Sequence, residues 1–379
     1  MSNIVIAGYK RSPFHFANKG ALVKVRPDDL AATVVRALVD ETKVDLQDLE
    51  DLIVGCAFPE GEQGFNVGRL IGLLAKLPLG VAGTTVNRFC GSSMQAIHMA
   101  MGAIAAGAGD AFIAAGVESM TRVPMGGFNP MPNPKLMDPA IQAFISMGDT
   151  AENLAAKYQI SRRQQDEFAL ASHQKSAKAW MAGHYAGEIV PIATADGVVD
   201  KDGCIRPDTT IEKLGELKLA FKQDGGSVTA GNSSPLTDGA SATLITSEDY
   251  AKSHNLKIMA RIKSIAVAGC APDIMGIGPV PAAHKALKRA GVTINDIDIF
   301  ELNEAFAAQS LAVIRDLNIP MEKLNLDGGA IALGHPLGAS GARIVGHAAA
   351  ILQREKKTLA LATMCIGGGM GIATILEAV

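Results

Sequence analysis

The chain has 379 residues, 48% hydrophobic and 19% charged, material for two or three domains at roughly 150 residues each and for a substantial buried core. Thirty-eight acidic against 35 basic residues leave a formal charge of −3. With one tryptophan and four tyrosines, the chain has neither the basic footprint nor the stacking platforms of a dedicated nucleic-acid binder.

In chain order, the N-terminus places the short apolar run Ile4 to Ala7 before Lys10 and Arg11, the reverse of a secretory signal. Asp110 interrupts the most apolar stretch, Met99 to Val117, so no run reaches the roughly 18 residues of a membrane span. A cytoplasmic protein with no integral membrane segment is expected. Val44 to Leu52 then sets out aliphatic and acidic residues in an order that returns at Val292 to Phe300, an offset of 248. At the same offset Cys90-Gly91-Ser92-Ser93 lies over Gly338-Ala339-Ser340-Gly341. Each of these opens a helical pattern, with Met94, Ile97, Met101 and Ile104 on one face in the first and Ile344, Ala348 and Ile351 in the second. Each predicted helix leads into a small-residue strand, Ala111 to Ala115 and Leu359 to Met364, continuous enough in apolar character to be buried on both faces.

Three matches at one offset predict an α/β fold of two similar halves packed in layers. From about Glu118 to Pro235 the chain is irregular: Pro124, Gly126, Gly127, Pro130, Pro132 and Pro134 crowd one loop and Gly225-Gly226 marks another. One helix is predicted there, Ser161 to Ala182, opened by a Ser161/Gln164 capping box. Leu244-Ile245-Thr246 reads as a strand returning to the first half. The expected division is therefore 1–255, including a loop domain over about 118–236, and 256–379.

Five scattered cysteines without a C-x-x-C pair argue against a disulfide framework or zinc ribbon, leaving each as core filling or chemistry. Cys90 sits in Asn87-Arg88-Phe89-Cys90-Gly91-Ser92-Ser93, a loop entering a helix, where the positive end of the helix dipole lowers a thiol's pKa. His335 lies in Gly334-His335-Pro336-Leu337-Gly338 at another helix entrance, at the position the repeat makes equivalent to Asn87. Two such entrances can face one another across the halves. Cys365 ends a buried strand in Cys365-Ile366-Gly367-Gly368-Gly369, whose glycines let backbone N–H groups approach a ligand or form an oxyanion hole. The stretch fits neither phosphate-loop nor dinucleotide glycine spacing. Asn303 follows the predicted strand Ile297 to Leu302.

The four blocks around Cys90, Asn303, His335 and Cys365, in this order along the whole chain, resemble the thiolase family. The stretches Val267 to Gly276 and Ala362 to Gly367 resemble its degradative 3-ketoacyl-CoA branch, acetyl-CoA C-acyltransferases of fatty-acid β-oxidation. The resemblance implies a five-layer αβαβα fold of two pseudo-repeated halves, each with a mixed five-stranded sheet, and a loop domain inserted in the first. It implies thiolytic cleavage of 3-ketoacyl-CoA to acetyl-CoA and a shortened acyl-CoA through an acyl-cysteine, with coenzyme A as co-substrate and no metal. Carried onto matching positions, Cys90 is the nucleophile, which His335 helps to hold as thiolate. His335 and a water on Asn303 stabilise the enolate, Cys365 is the acid/base, and the Cys90 and Gly367 N–H groups cradle the oxyanion. Arg206 meets the CoA nucleotide, while Ser234, Ala230, Phe221 and Met147 line the pantetheine.

The implied partners are a second copy of the chain, as a dimer or dimer of dimers, and a hydratase/dehydrogenase subunit. Ser234-Pro235 departs from the Ser-Gly of short-chain biosynthetic thiolases, and Met125 to Ser146 does not resemble their tetramerising loop. An acetoacetyl-CoA thiolase is the alternative, followed by a non-catalytic acyl-CoA binder. Decarboxylating ketoacyl synthases would lack a second reactive cysteine.

Overall fold

The computed structural model describes residues 3–138 and 140–379. The chain opens with β1 (Ile4–Arg11), β2 (His15–Phe16), α1 (Pro27–Thr42), β3 (Leu49–Gly55), α2 (Val67–Leu74), β4 (Ala82–Val86), α3 (Ser92–Ala105) and β5 (Ala111–Ser119). An inserted stretch then carries α4 (Met147–Lys157), α5 (Arg162–Met181), β6 (Ile192–Thr194), β7 (Gly197–Val199) and α6 (Ile211–Gly215), before β8 (Thr237–Ser247) and α7 (Glu248–Ser253). The remainder is β9 (Ala260–Gly269), α8 (Pro279–Ala290), β10 (Ile299–Leu302), α9 (Ala307–Leu317), α10 (Ala330–Leu333), α11 (Leu337–Glu355), β11 (Leu359–Ile366) and β12 (Met370–Glu377).

The strand order β4-β3-β5-β8-β1 is mirrored by β10-β11-β12-β9. The second array has four strands where the first has five, and only a one-residue parallel bridge from Leu324 to Phe300 stands where the fifth would pair. The arrays meet edge to edge through β1 and β9 by two residue pairs, Val5 with Arg261 and Ile6 with Ala260. Every residue of β5 and β11 is buried, as continuous apolar strands require.

Three apolar cores separate five layers. Val35 and Leu38 of α1 and Ile71 of α2 pack with Leu52, Val54 and Ile113 on the outer face of the first sheet. Ile53 and Phe112 point the other way, as the period of two demands, and join Met94 and Ile97 of α3 and Ile344, Val345 and Ile351 of α11 between the sheets. Ala283, Leu287, Val313 and Leu317 of α8 and α9 cover Leu361 and Ile375 on the far side. Lying in the middle layer, α11 is buried nearly all round, the habit of a helix without a solvent face.

The two central helices approach backbone to backbone. A Cβ on Gly341 would stand 2.3 Å from the Met94 nitrogen, and one on Gly338 would stand 2.5 Å from the Val117 oxygen. Glycine is needed at both for steric reasons, and the small residues of the repeat are what bring the two helix entrances together.

Candidate active site

Between β4 and α3 the chain reverses at Asn87 to Gly91. Phe89 holds a left-handed φ of +42°, uncommon for a bulky residue, and local bonds enforce it. Asn87 Oδ1 accepts from the Phe89 N–H at 2.8 Å, while Ser92 Oγ donates to the Phe89 carbonyl at 2.6 Å and accepts from the Arg88 N–H at 2.9 Å. Asn87 Nδ2 donates to the Ala57 carbonyl at 3.0 Å, fixing the turn to the segment after β3. Cys90 is thereby set, half-buried, against an apolar cluster with Ala57, Met120 and Leu337. Leu337 is two residues past His335.

The second half brings a glycine hairpin to the same place. Cys365, 1% exposed, pairs with Gly371 across β11 and β12, and Gly368 and Gly369 turn the hairpin at φ +80° and +84°. Gly367 lies between Met147 and Phe89, the residue before Cys90. Ile366, next to Cys365, packs on the Cys90 turn, where a Cβ on Gly91 would stand 2.6 Å from its Cδ1.

His335 is buried in the loop between α10 and α11, its N–H donating to Thr237 Oγ1 at 3.0 Å. Its Nδ1 is 2.5 Å from Ser340 Oγ and its Nε2 is 3.3 Å from Nδ2 of Asn303, which follows β10. Glu118, at the end of β5, joins these loops. Its buried carboxylate accepts from the Ala57, Phe58 and Gly338 N–H groups and from Gln63 Nε2, at 2.8, 3.3, 2.9 and 2.8 Å. Four donors on one carboxylate tie the support of the Cys90 turn to the first turn of α11.

Burial dominates the electrostatics. The Cys90 thiol is pushed up to about 11, chiefly by burial and further by Glu118, against the pull of the Gly367 and Cys90 N–H groups. Burial thus acts on the Cys90 thiol against the expected lowering by the helix dipole. His335 is lowered to about 3 by burial and by Arg343, which favours the neutral imidazole. Cys365 lies well above the ordinary thiol range, first from burial and then from Cys90 and Cys270.

Four of the residues expected at the pantetheine fall together. Phe221 lies against Gly148, next to Met147, and meets Phe306 edge-on at 6.1 Å. The Ser234 N–H donates to the Ala305 carbonyl at 2.9 Å, and Ala230 is exposed on the turn preceding it. Arg206 has other neighbours. It is exposed, its guanidinium 5.2 Å from the Phe16 ring centre and its N–H on His173 Nδ1 at 3.2 Å. Sequence reasoning gave no role to Glu118 or Ser340. Glu118 had no motif to flag it, whereas Ser340 stood inside the His335 block, five residues on. Among the described residues no group of three or more His, Cys, Asp or Glu is placed to hold a metal ion, and no helix is long and apolar enough to cross a membrane.

Comparison with known proteins agrees with this arrangement. The family model "Thiolase, N-terminal domain" matches residues 4–249 and "Thiolase, C-terminal domain" matches 256–378. The chain belongs to the thiolase family. This thiolase is 49% identical to the 3-ketoacyl-CoA thiolase of Hahella chejuensis over 385 residues, covering 99% of this chain and 98% of the relative. It is 50% identical to that of Pseudoalteromonas translucida over 388 residues, covering all of both. The crystal structure of human mitochondrial 3-ketoacyl-CoA thiolase in complex with CoA is similar at a TM-score of 0.92 and 39% identity, over 100% of this chain and 98% of that one.

Proposed function

We propose that this thiolase is a degradative 3-ketoacyl-CoA thiolase, cleaving 3-ketoacyl-CoA with CoA to acetyl-CoA and a shortened acyl-CoA. The observation that carries the reading is the packing of the Cys365 hairpin of one half against the Cys90 turn of the other: a Cβ on Gly91 would stand 2.6 Å from Ile366 Cδ1, and one on Gly367 3.8 Å from the Phe89 ring. One thiol attacks while the other handles a proton. The Cys90 proton passes to His335 as sulfur adds to the C3 carbonyl, and the oxyanion is met by the Cys90 and Gly367 N–H groups. The C2–C3 bond then breaks, leaving acyl-Cys90 and the acetyl-CoA enolate, whose oxygen His335 and a water on Asn303 receive. The buried Oδ1 of Asn303 has no partner within the protein and is open to a donor. Cys365 protonates C2, and its thiolate afterwards deprotonates incoming CoA, which takes the acyl group from Cys90 as the proton on His335 returns to the departing Cys90 sulfur.

A thioester is handed on rather than hydrolysed, so water must be excluded, and the burial that raises both thiols serves that end. Met147, Phe221, Ala230 and Ser234 are the proposed pantetheine lining and Arg206 the nucleotide contact. Residues 1–255 and 256–379 are the proposed halves, with the loop domain over about 118–236. The direct test is Cys365→Ala, expected to acylate slowly at Cys90 but to lose hydrogen exchange at the acetyl-CoA α carbon; normal exchange removes Cys365 from the mechanism.

The proposed assembly is a homodimer in the cytoplasm. Its support is the outer edge of β4, where Phe65 is 96% exposed at φ +54° and Leu70, Leu73, Leu74 and Leu79 are also exposed. An unpaired sheet edge beside an apolar patch invites a partner. Sedimentation should give a dimer, and Phe65→Asp should release monomer. A hydratase/dehydrogenase subunit is the further partner implied by resemblance to the β-oxidation branch, tested by co-purification.

A further inference from the structure

His335 takes the thiol proton only on a ring nitrogen that carries no hydrogen, and the hydrogen bonds made by the two nitrogens determine which that is. In Gly334-His335-Pro336-Leu337-Gly338-Ala339-Ser340, Pro336 is the N-cap of α11 and Ser340 lies four residues on. The hydroxyl therefore lies over the first carbonyl of its own helix, the back-bond that serine makes at this spacing.

The geometry has a direction. Ser340 Oγ donates to the Pro336 carbonyl at 3.0 Å. A hydroxyl has one hydrogen, and a carbonyl has none to return. With that hydrogen engaged, the Ser340 oxygen 2.5 Å from His335 Nδ1 is left to accept. On the opposite nitrogen, Asn303 presents its Nδ2 to Nε2 at 3.3 Å, and an amide nitrogen donates only. All three side chains are buried, so no bulk water competes for either nitrogen. We infer that Ser340 is a positioning residue that fixes His335 as the Nδ1–H tautomer, leaving Nε2 as the proton acceptor. When the imidazolium forms, Nδ1–H keeps its acceptor while the Asn303 amide gives up its hydrogen bond to Nε2, so only Nε2 gains a proton and the ring does not turn.

The inference rests on His335 serving the proposed reaction, yet its first test is independent of turnover. In ¹⁵N-histidine-labelled wild-type protein at neutral pH, the His335 resonances are those lost in His335→Asn. They are expected to show Nδ1 protonated and Nε2 bare. A protonated Nε2, with the serine donating to Nδ1 and the Asn303 amide turned over, overturns the inference. Ser340→Ala is expected to mix or reverse the tautomers and to lower kcat about 100-fold, the scale of a misdirected general base, with KM within about twofold. Ser340→Thr keeps the hydroxyl and is expected to restore the wild-type tautomer and most of kcat. An unchanged tautomer in Ser340→Ala contradicts the assignment. If Ser340→Ala does not fold, the wild-type spectrum alone decides. If 3-ketoacyl-CoA never acylates Cys90 while the spectrum shows Nδ1–H, the thiolase reading fails and the tautomer stands.

Discussion

Burial pushes the Cys90 thiol up to about 11 and the His335 imidazole down to about 3, and an expectation for reactivity follows. On the proposed reaction, Cys90 is expected as SH in the free protein at neutral pH, with proton transfer to His335 belonging to the attack rather than preceding it. Alkylation of Cys90 by iodoacetamide should therefore rise about tenfold per pH unit from pH 7 until it levels near 11. A plateau already reached near neutrality would mean a preformed thiolate. At this scale the chemical inventory was legible in the sequence, since Cys90, Asn303, His335 and Cys365 each stand in a recognisable block. The charge states were not. A helix entrance is visible in a sequence, but the depth at which it is buried is set by residues hundreds of positions away.

At the scale of elements, the offset of 248 foretold that α3 and α11 are equivalent helices that meet and that β5 and β11 hold equivalent places in the two arrays, because the same small residues that make the echo also permit the close crossing of the helices. Gly341→Ala should test this. Its methyl would meet the Met94 backbone, which cannot yield as a side-chain tip can, at a cost of about 1–3 kcal/mol. The expected outcome is a lower Tm together with slower acylation of Cys90, since the helix carrying Ser340 would shift. A variant with wild-type Tm would show that the approach is not tight. Two features were less readable. Helix α4, capped by Ser146 on the Asp149 N–H, follows a stretch so rich in proline and glycine that its short amphipathic pattern was lost. The β1–β9 junction rests on two residue pairs, too few to leave a periodic trace.

Across the whole molecule, a buried ionic cluster fastens the inserted region to both halves. Glu188 accepts from Arg11 Nε at 2.6 Å and lies 2.8 Å from His347 Nδ1. Asp202 takes the Arg11 fork at 2.7 and 2.9 Å, and Asp327 pairs with His347, Arg354 and His184 at 3.2, 2.6 and 2.8 Å. Burial opposes these charges, but His347 and Arg11 hold Glu188 down to about 2, while Glu188 and Asp327 lift His347 to about 10 against the same penalty. The His347 contribution is full below its ordinary 6.5 and is lost as pH rises through about 10. The Glu188 contribution is full above its ordinary 4.5 and is lost as pH falls toward about 2. Stability from the cluster should thus be greatest between about pH 4.5 and 6.5. His347→Ala should cost about 3 kcal/mol by leaving buried carboxylates short of a partner. Thermal melts across pH check this, and a variant whose Tm tracks wild type above pH 6.5 would remove His347 from the fastening.

All of this converges on one covalent event. Intact-protein mass after mixing with a 3-ketoacyl-CoA in the absence of free CoA, followed by peptide mapping, tests it most directly. The expected result is an adduct of the shortened acyl group on Cys90, discharged by added CoA and missing in Cys90→Ala. No adduct, or one that persists in Cys90→Ala, would contradict the assignment of Cys90 as the nucleophile and with it the proposed reaction.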